Sequence, residues 1–377
     1  MNHASFAIAI AAFIVACSSA KDGTNAPAPP TAKTSDTTAA ETSDATAGKA
    51  IESAPAKTDE KWPAAAWTRD ASVDASRFMP LEDGFPGTYS LLVVSGGEVV
   101  FERYQAPYAK DSVIHVNSCT KTVIAMLFGM VFSEDVAENE NRPAVDFFPE
   151  YALEDPLLRP IRVKHFLSMS SGLKWDGGID AADVVKMSKT NDWARYVFER
   201  QVSGPPGESF LYNSGGSQVV STILNKQTKG GLLAFAVERL FDPLQISEFK
   251  WDRTSKGVPK AGWGLHLKME DMAKLGYLLL RKGKWRNTQI VPEQWVSTLS
   301  SKHVVANERY DYGYQVWIPK TIGAGGFMFR GSYPPSIKVV AVLPELDSVV
   351  VYVGENYETI ELFRDFVVPA LKREPDP

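Results

Sequence analysis

Ser118 and Lys121 have the residue types and the spacing from which covalent chemistry could be built. They lie in His115-Val-Asn-Ser-Cys-Thr-Lys-Thr-Val-Ile-Ala-Met-Leu-Phe-Gly-Met130, where apolar residues recur at helical spacing from Val123 through Met126, Leu127 and Met130. That periodicity predicts a buried helix whose first turn bears the polar pair. Residues three apart on a helix face each other, with Cβ atoms roughly 5 to 6 Å apart, so the lysine amine can take the proton of the serine hydroxyl. The lysine must be neutral to do so, and burial has to bring it from its ordinary value of about 10.4 to near neutrality. The same helix end points free N–H groups and the positive end of its dipole at the serine, which suits a developing oxyanion.

The tetrapeptide alone is weak, because S-x-x-K also occurs at Ser18 with Lys21, Ser171 with Lys174 and Ser247 with Lys250. An ordinary helix-end serine and a solvated lysine would satisfy it equally. Cys119 is a rival nucleophile, although no Cys, His and Asn signature surrounds it. Around Pro205-Pro-Gly-Glu-Ser-Phe-Leu-Tyr-Asn-Ser-Gly215 the chain makes a turn and enters an apolar helix from Gln218 to Asn225. Tyr212, in that turn, could share the proton with the amine; a half-buried structural tyrosine is the bland alternative. The five histidines, His3, His115, His165, His266 and His303, form no metal-binding cluster, and the chemistry needs neither metal nor cofactor. Trp175 and Trp317 line a cleft or fill a core.

Elements at both ends of the chain must position these groups. Tyr89 to Ser95 and Glu98 to Tyr104 read as strands joined by Gly96-Gly97, a hairpin signal. Tyr312 to Ile318, Phe327 to Arg330, Ile337 to Leu343 and Ser348 to Val353 read as further strands, and Thr359 to Leu371 as a closing helix. Between them lies a helical and loop region. The pattern predicts an α+β fold: an antiparallel sheet flanked by helices, formed by about 67–142 and 301–377, with an inserted all-helical domain over about 143–300. The cleft between the two is the default binding site.

The chain has 377 residues and a net charge of −5, with no basic face for nucleic acid and no readable protein partner. Ala7 to Ala16 is an apolar run too short to span a bilayer, ending at Cys17. Ile14-Val-Ala-Cys17 resembles the lipobox of bacterial lipoproteins, although the start, MNHAS, lacks Lys and Arg. Residues 1–17 are thus expected to be a signal peptide and Cys17 a lipidated anchor in the bacterial cell envelope, outside the cytoplasm. Residues 18–66 begin as a tract of Ala, Thr, Pro, Ser and Asp that cannot bury a core and reads as a tether some 35 Å long. The folded body is expected from Trp67.

From Tyr89 to Leu371 the chain resembles the serine hydrolases of the penicillin-binding and class C β-lactamase superfamily, in the branch of esterases and 6-aminohexanoate-dimer hydrolases. Ser118-Cys-Thr-Lys121 is similar to the nucleophile motif. Phe166-Leu-Ser-Met-Ser-Ser-Gly-Leu173 resembles "LLxMTSGL", and Pro206-Gly-Glu-Ser-Phe-Leu-Tyr212 resembles "PGxxFxY". Gly262-Trp-Gly-Leu265, Asp271-Met-Ala-Lys-Leu-Gly-Tyr-Leu278 and Gly283-Lys-Trp285 resemble "GGGL…DLARFGxL…GxW". The resemblance implies a β-lactamase/transpeptidase-like fold with Ser118 as nucleophile and Lys121 and Tyr212 as acid and base.

Two departures bear on substrate. The pattern Y-x-N has Ser214 in its third place, and the third motif, K-T-G or H-x-G, has no clean counterpart. Aligned on Pro344, Tyr333-Pro-Pro-Ser336 falls there, which makes the Ser336 N–H the expected second oxyanion donor beside that of Ser118. Ser214, Tyr333 and Trp175 are the candidate substrate contacts. Without the motif's lysine and threonine, Tyr333 and two prolines offer an apolar wall, and the expected substrate is an ester or simple amide with a neutral or weakly charged acyl group, in preference to a penicillin. A β-lactamase or D,D-peptidase acting on cell-wall-like substrates, and a non-catalytic cell-envelope binding lipoprotein, are the alternatives.

Overall fold

The computed structural model describes residues 61–63, 66–78, 85–176, 182–355 and 358–372. The expected signal peptide, Cys17 and nearly all of the expected tether lie outside these residues.

Valine-rich runs from opposite ends of the chain build one sheet. The strands are β1 (Thr88–Ser95), β2 (Glu98–Tyr104), β3 (Ile114–His115), β4 (Lys250–Trp251), β5 (Leu265–Leu267), β6 (Lys284–Trp285), β7 (Thr288–Gln289), β8 (Val304–Val305), β9 (Tyr310–Tyr312), β10 (Trp317–Pro319), β11 (Phe327–Tyr333), β12 (Ser336–Leu343) and β13 (Ser348–Gly354). Eight of them form an antiparallel sheet in the order β2-β1-β13-β12-β11-β10-β9-β8. The two chain ends meet where β1 pairs with β13, with Leu92 opposite Val351. A small sheet, β3-β5-β4, leads into the Ser118 segment.

Side chains alternate across a strand, so each central strand feeds two cores. In β12 and β13, Val340, Val342, Val349, Val351 and Val353 join the larger core, whereas Ile337, Val339, Ala341, Val350 and Tyr352 join the smaller one beneath the C-terminal helical segment, 359–372. Both strands are buried along their whole length. The larger core is closed by α1 (Thr120–Val131), α2 (Val163–Leu167), α3 (Trp193–Phe198), α4 (Ser214–Gln227) and α5 (Met269–Leu280). One buried residue joins three of these elements through its side chain and its backbone carbonyl. Gln315 donates to the carbonyls of Phe166 and Leu167 at 2.9 and 2.8 Å, accepts from the Ser217 hydroxyl at 2.8 Å, and its own carbonyl accepts from Thr122 at 2.7 Å.

The antiparallel sheet flanked by helices is present as expected; its details differ in four places. The expected strand Tyr312 to Ile318 is two strands, β9 and β10, because the chain turns at Gly313–Val316. β11 runs through Gly331 to Tyr333, three residues beyond the expected end. The 143–300 segment carries four short strands, β4 to β7, and its helix α5 packs on β12 and β13 of the sheet. Finally, Lys61–Pro63 already belong to the body. Trp62 stacks edge-on against Tyr277 and Trp285, and the Pro63 carbonyl accepts from Arg286 at 3.1 Å. A tryptophan offered such an aromatic socket packs against the core, half-buried, whatever the composition of the tract before it.

Candidate active site

The turn that presents Ser118 is strained and pinned. Asn117 has φ +52°, a left-handed conformation that asparagine tolerates better than most residues. Its side-chain oxygen accepts from His115 Nδ1, and His115 Nε2 accepts in turn from the Gly264 N–H at 3.1 Å. The two bonds fix the neutral tautomer, and burial holds the imidazole below its ordinary value, with the Asn117 bond opposing it. Thr120 closes the first turn by donating to the Asn117 carbonyl at 2.7 Å and accepting from the Leu265 N–H at 3.3 Å. Helix α1 then starts with Ser118 at its mouth.

Lys121 lies one turn along and is 1% exposed. Its Nζ sits 3.0 Å from Ser118 Oγ and donates to the Gly262 carbonyl at 2.6 Å. Among the described residues no carboxylate pairs with it, and burial pulls the amine down to about 7. Tyr212 completes the cluster. Its ring lies 4.8 Å from Lys121 Nζ and stacks on Trp317 with ring centres 5.9 Å apart. Burial drives the phenol well above its ordinary value, only partly offset by a hydrogen-bonding interaction with the Ser118 hydroxyl, so it stays protonated at neutral pH. The arrangement is a protonated phenol and a near-neutral amine around one hydroxyl.

Cys119 points elsewhere. Its buried thiol donates to the Lys338 carbonyl at 3.6 Å and is pushed up by burial to about 12, so it offers no thiolate at neutral pH.

Gly331 of β11 packs backbone to backbone behind Ser118. A Cβ there would lie 2.4 Å from the Val116 oxygen, 2.7 Å from the Ser118 nitrogen and 2.8 Å from the Cys119 nitrogen. This contact corrects the expectation for Ser336. Tyr333 and Ser336 close a two-residue hairpin and must exchange their backbone hydrogen bonds, so the Ser336 N–H is spent on β11. The alternation then turns the N–H groups of Arg330 and Ser332 to the opposite edge of β11, the edge on which Met328 pairs with Trp317 of β10. Beyond Met328 that edge has no strand partner among the described residues, and Ser332 immediately follows the glycine that touches Ser118. Phe329-Arg330-Gly331 therefore stands where Tyr333–Ser336 was expected. We expect Gly331→Ala to force β11 away from this turn and lower kcat on any turned-over ester by roughly 100-fold or more, with a fall in Tm. Parallel kinetics and thermal melts check it, and unchanged kcat would sink the close-approach argument.

A cavity of about 480 Å³ opens on Ser118, walled by Asn117, Ser214, Trp263, Tyr333, Ser336 and Lys338, among others. Ser214 is buried at the start of α4, where Asn213 caps the helix by accepting from the Gly216 N–H at 2.9 Å. Gly262 lets the loop bearing the Lys121 acceptor approach, since a Cβ there would meet Ser214 Cβ at 2.8 Å. Tyr333 is 49% exposed at the rim. Trp175 is not a wall of this cavity: it is 4% exposed, in the core against Tyr196 and over Gly215. Lys338, the Gly262 carbonyl and the His115–Asn117 pair were not identified as site groups from sequence. A lysine within the otherwise apolar run Ile337-Lys-Val-Val-Ala-Val-Leu343 was the available signal.

A helix-flanked antiparallel sheet, with a serine and a buried lysine on the first turn of the helix behind it, defines the β-lactamase and transpeptidase class of fold. Residues 64–358 match the family named Beta-lactamase, and the chain belongs to that family of hydrolases. Among curated proteins it is 26% identical over 174 residues to a lovastatin esterase of Penicillium rubens, spanning 41% of this chain and 43% of the esterase. It is 21% identical over 280 residues to an uncharacterized protein of Alkalihalophilus pseudofirmus, spanning 65% of this chain and 76% of that one. Among solved structures, a protein assigned as a 6-aminohexanoate-dimer hydrolase from Bacillus anthracis superposes with a TM-score of 0.65 at 19% identity, covering 82% of this chain and 87% of that one. An octameric penicillin-binding protein homologue from Pyrococcus abyssi gives 0.60 at 19% identity, covering 80% and 76%.

Proposed function

We propose that the protein is a serine hydrolase that cleaves an ester or amide through an acyl-enzyme on Ser118. The observation that carries this reading is the Lys121 amine, buried with no carboxylate partner among the described residues and 3.0 Å from the Ser118 hydroxyl. A neutral amine keeps one N–H on the Gly262 carbonyl and turns its lone pair to the Ser118 O–H. It takes that proton as Oγ adds to the substrate carbonyl. The N–H groups of Ser118 and Ser332 receive the oxyanion, at the helix mouth and the free strand edge respectively. Tyr212, protonated, gives its proton to the leaving oxygen or nitrogen and is reprotonated from the Lys121 ammonium. A water, deprotonated by Lys121, then releases the acid and regenerates Ser118.

The esterase and the amide hydrolase among the similar proteins favour ester and amide substrates. The test is a fluorophosphonate probe read by intact mass and peptide mapping. One phosphonyl group on Ser118 is expected. An unlabelled Ser118 in folded protein would leave only a non-catalytic, binding role.

We also propose that the body is tethered outside the cytoplasm by a lipid on Cys17, on the strength of the Ile14-Val-Ala-Cys17 lipobox-like sequence. Palmitate incorporation that persists in Cys17→Ala would refute it.

A further inference from the structure

We propose that Lys338 is a specificity-determining residue that binds a carboxylate on the substrate, so that the ester or amide cleaved at Ser118 is an acidic one. The inference rests on the hydrolase reading and extends it to substrate class. Lys338 is 6% exposed, yet among the described residues its amine bonds to the Ser336 hydroxyl and no carboxylate pairs with it. A buried ammonium without a counter-ion is costly, and proteins retain one where a ligand completes it.

Its position fits such a ligand. Lys338 is paired directly with Gly331, the residue in contact with the Ser118 backbone, and its own carbonyl accepts from the neighbouring Cys119 thiol. Two residues on in β12, Val340 belongs to the core that contains helix α1, so the Lys338 side chain lies on the face of the sheet that bears Ser118. It opens on the same cavity as Ser118, and among the described residues none that lines this cavity is Asp or Glu. Phe329 occupies β11 two residues before Gly331, where the resemblance would seek the motif's lysine, and it is buried in the core. The cation is thus supplied by the adjacent strand, and the apolar wall expected from Tyr333-Pro-Pro is only one side of the cavity.

Two matched ester pairs test this. p-Nitrophenyl hydrogen glutarate against p-nitrophenyl pentanoate places the acid on the acyl side; 4-acetoxybenzoate against 4-acetoxytoluene places it on the leaving group. In at least one pair the wild type is expected to favour the acid. There Lys338→Met is expected to lower kcat/KM by roughly 30-fold or more, mainly through KM, leaving the neutral partner within about threefold. Lys338→Arg should retain most of the preference. Equal handling of both pairs by the wild type, or an equal fall for acid and neutral esters in Lys338→Met, would overturn the assignment. Calorimetry of glutarate with Ser118→Ala protein reads the anion site without turnover. Binding at least tenfold weaker in Ser118→Ala/Lys338→Met supports it, and absent or unchanged binding counts against it. Absence of fluorophosphonate labelling alongside Lys338-dependent glutarate binding would refute the hydrolase reading and leave Lys338 as a carboxylate-binding residue without turnover.

Discussion

Ser118→Ala is expected to lower kcat/KM on a turned-over aryl ester by about 10,000-fold or more while leaving the fold intact. Ser118 Oγ forms the bond to the acyl group, and an alanine methyl at the mouth of α1 removes the hydroxyl's bonds to Lys121 and Tyr212 while leaving the packing around it in place. What survives is the rate supplied by oxyanion donors and binding alone, which in serine hydrolases is a small remainder. Steady-state rates, with an unchanged melting temperature as control, check it. Residual activity within 100-fold of wild type would move the chemistry to another residue.

Lys121→Met is expected to cost about 1,000- to 10,000-fold, the range of a well-placed general base, and to leave stability unchanged or raised. The side chain is buried and has no acidic partner among the described residues, so an apolar chain of similar length removes an expensive charge. Lys121→Arg should fail equally, since a guanidinium stays charged across the accessible pH range. The wild type carries the matching pH signature. Burial brings the Lys121 amine down to about 7, and only the neutral amine accepts the Ser118 proton. As pH falls below about 7 the ammonium accumulates, and kcat/KM should drop tenfold per pH unit; above it the profile should flatten. A profile level from pH 5 to 8 would exclude Lys121 as the base.

The two variants also separate the roles of the site's lysines. Lys121 touches the nucleophile and acts on every substrate, whereas Lys338 touches the Ser336 hydroxyl and faces the cavity, so its loss should depend on the charge of the substrate. Both lysines are buried without a carboxylate partner among the described residues, and this shared cost marks the cavity as a place where stability has been given up for function.

Much of the frame was legible in the sequence for a local reason. Helix α1 announces itself by apolar residues at helical spacing, and the strands by β-branched runs ended by turn residues. The pair Ser118 and Lys121 sits within a single helical turn, so its meeting requires only that the helix form. Tyr212 was placed by its motif; its distance from Lys121 depends on how α4 packs on α1.

What the sequence could not give is contact between segments far apart in the chain. The expected strand stops at Arg330, and only the fold reveals that the bare Cα of the next residue, Gly331, lets β11 lie against Ser118. Ser336 could not be excluded as an oxyanion donor until the hairpin register assigned its N–H to Tyr333, and Trp175 could not be told from a cleft residue until its neighbours were known. Lys338 does not stand out in the sequence, because burial of a strand residue is set by which face of the sheet the register turns it to. By itself the sequence determined the elements, the nucleophile helix and the family's order of motifs, since these are encoded in short-range periodicity and spacing. The tertiary structure alone decided which strand edge faces Ser118 and which cation lines its cavity, because register and packing join residues more than 200 positions apart, as at the Cys119–Lys338 contact.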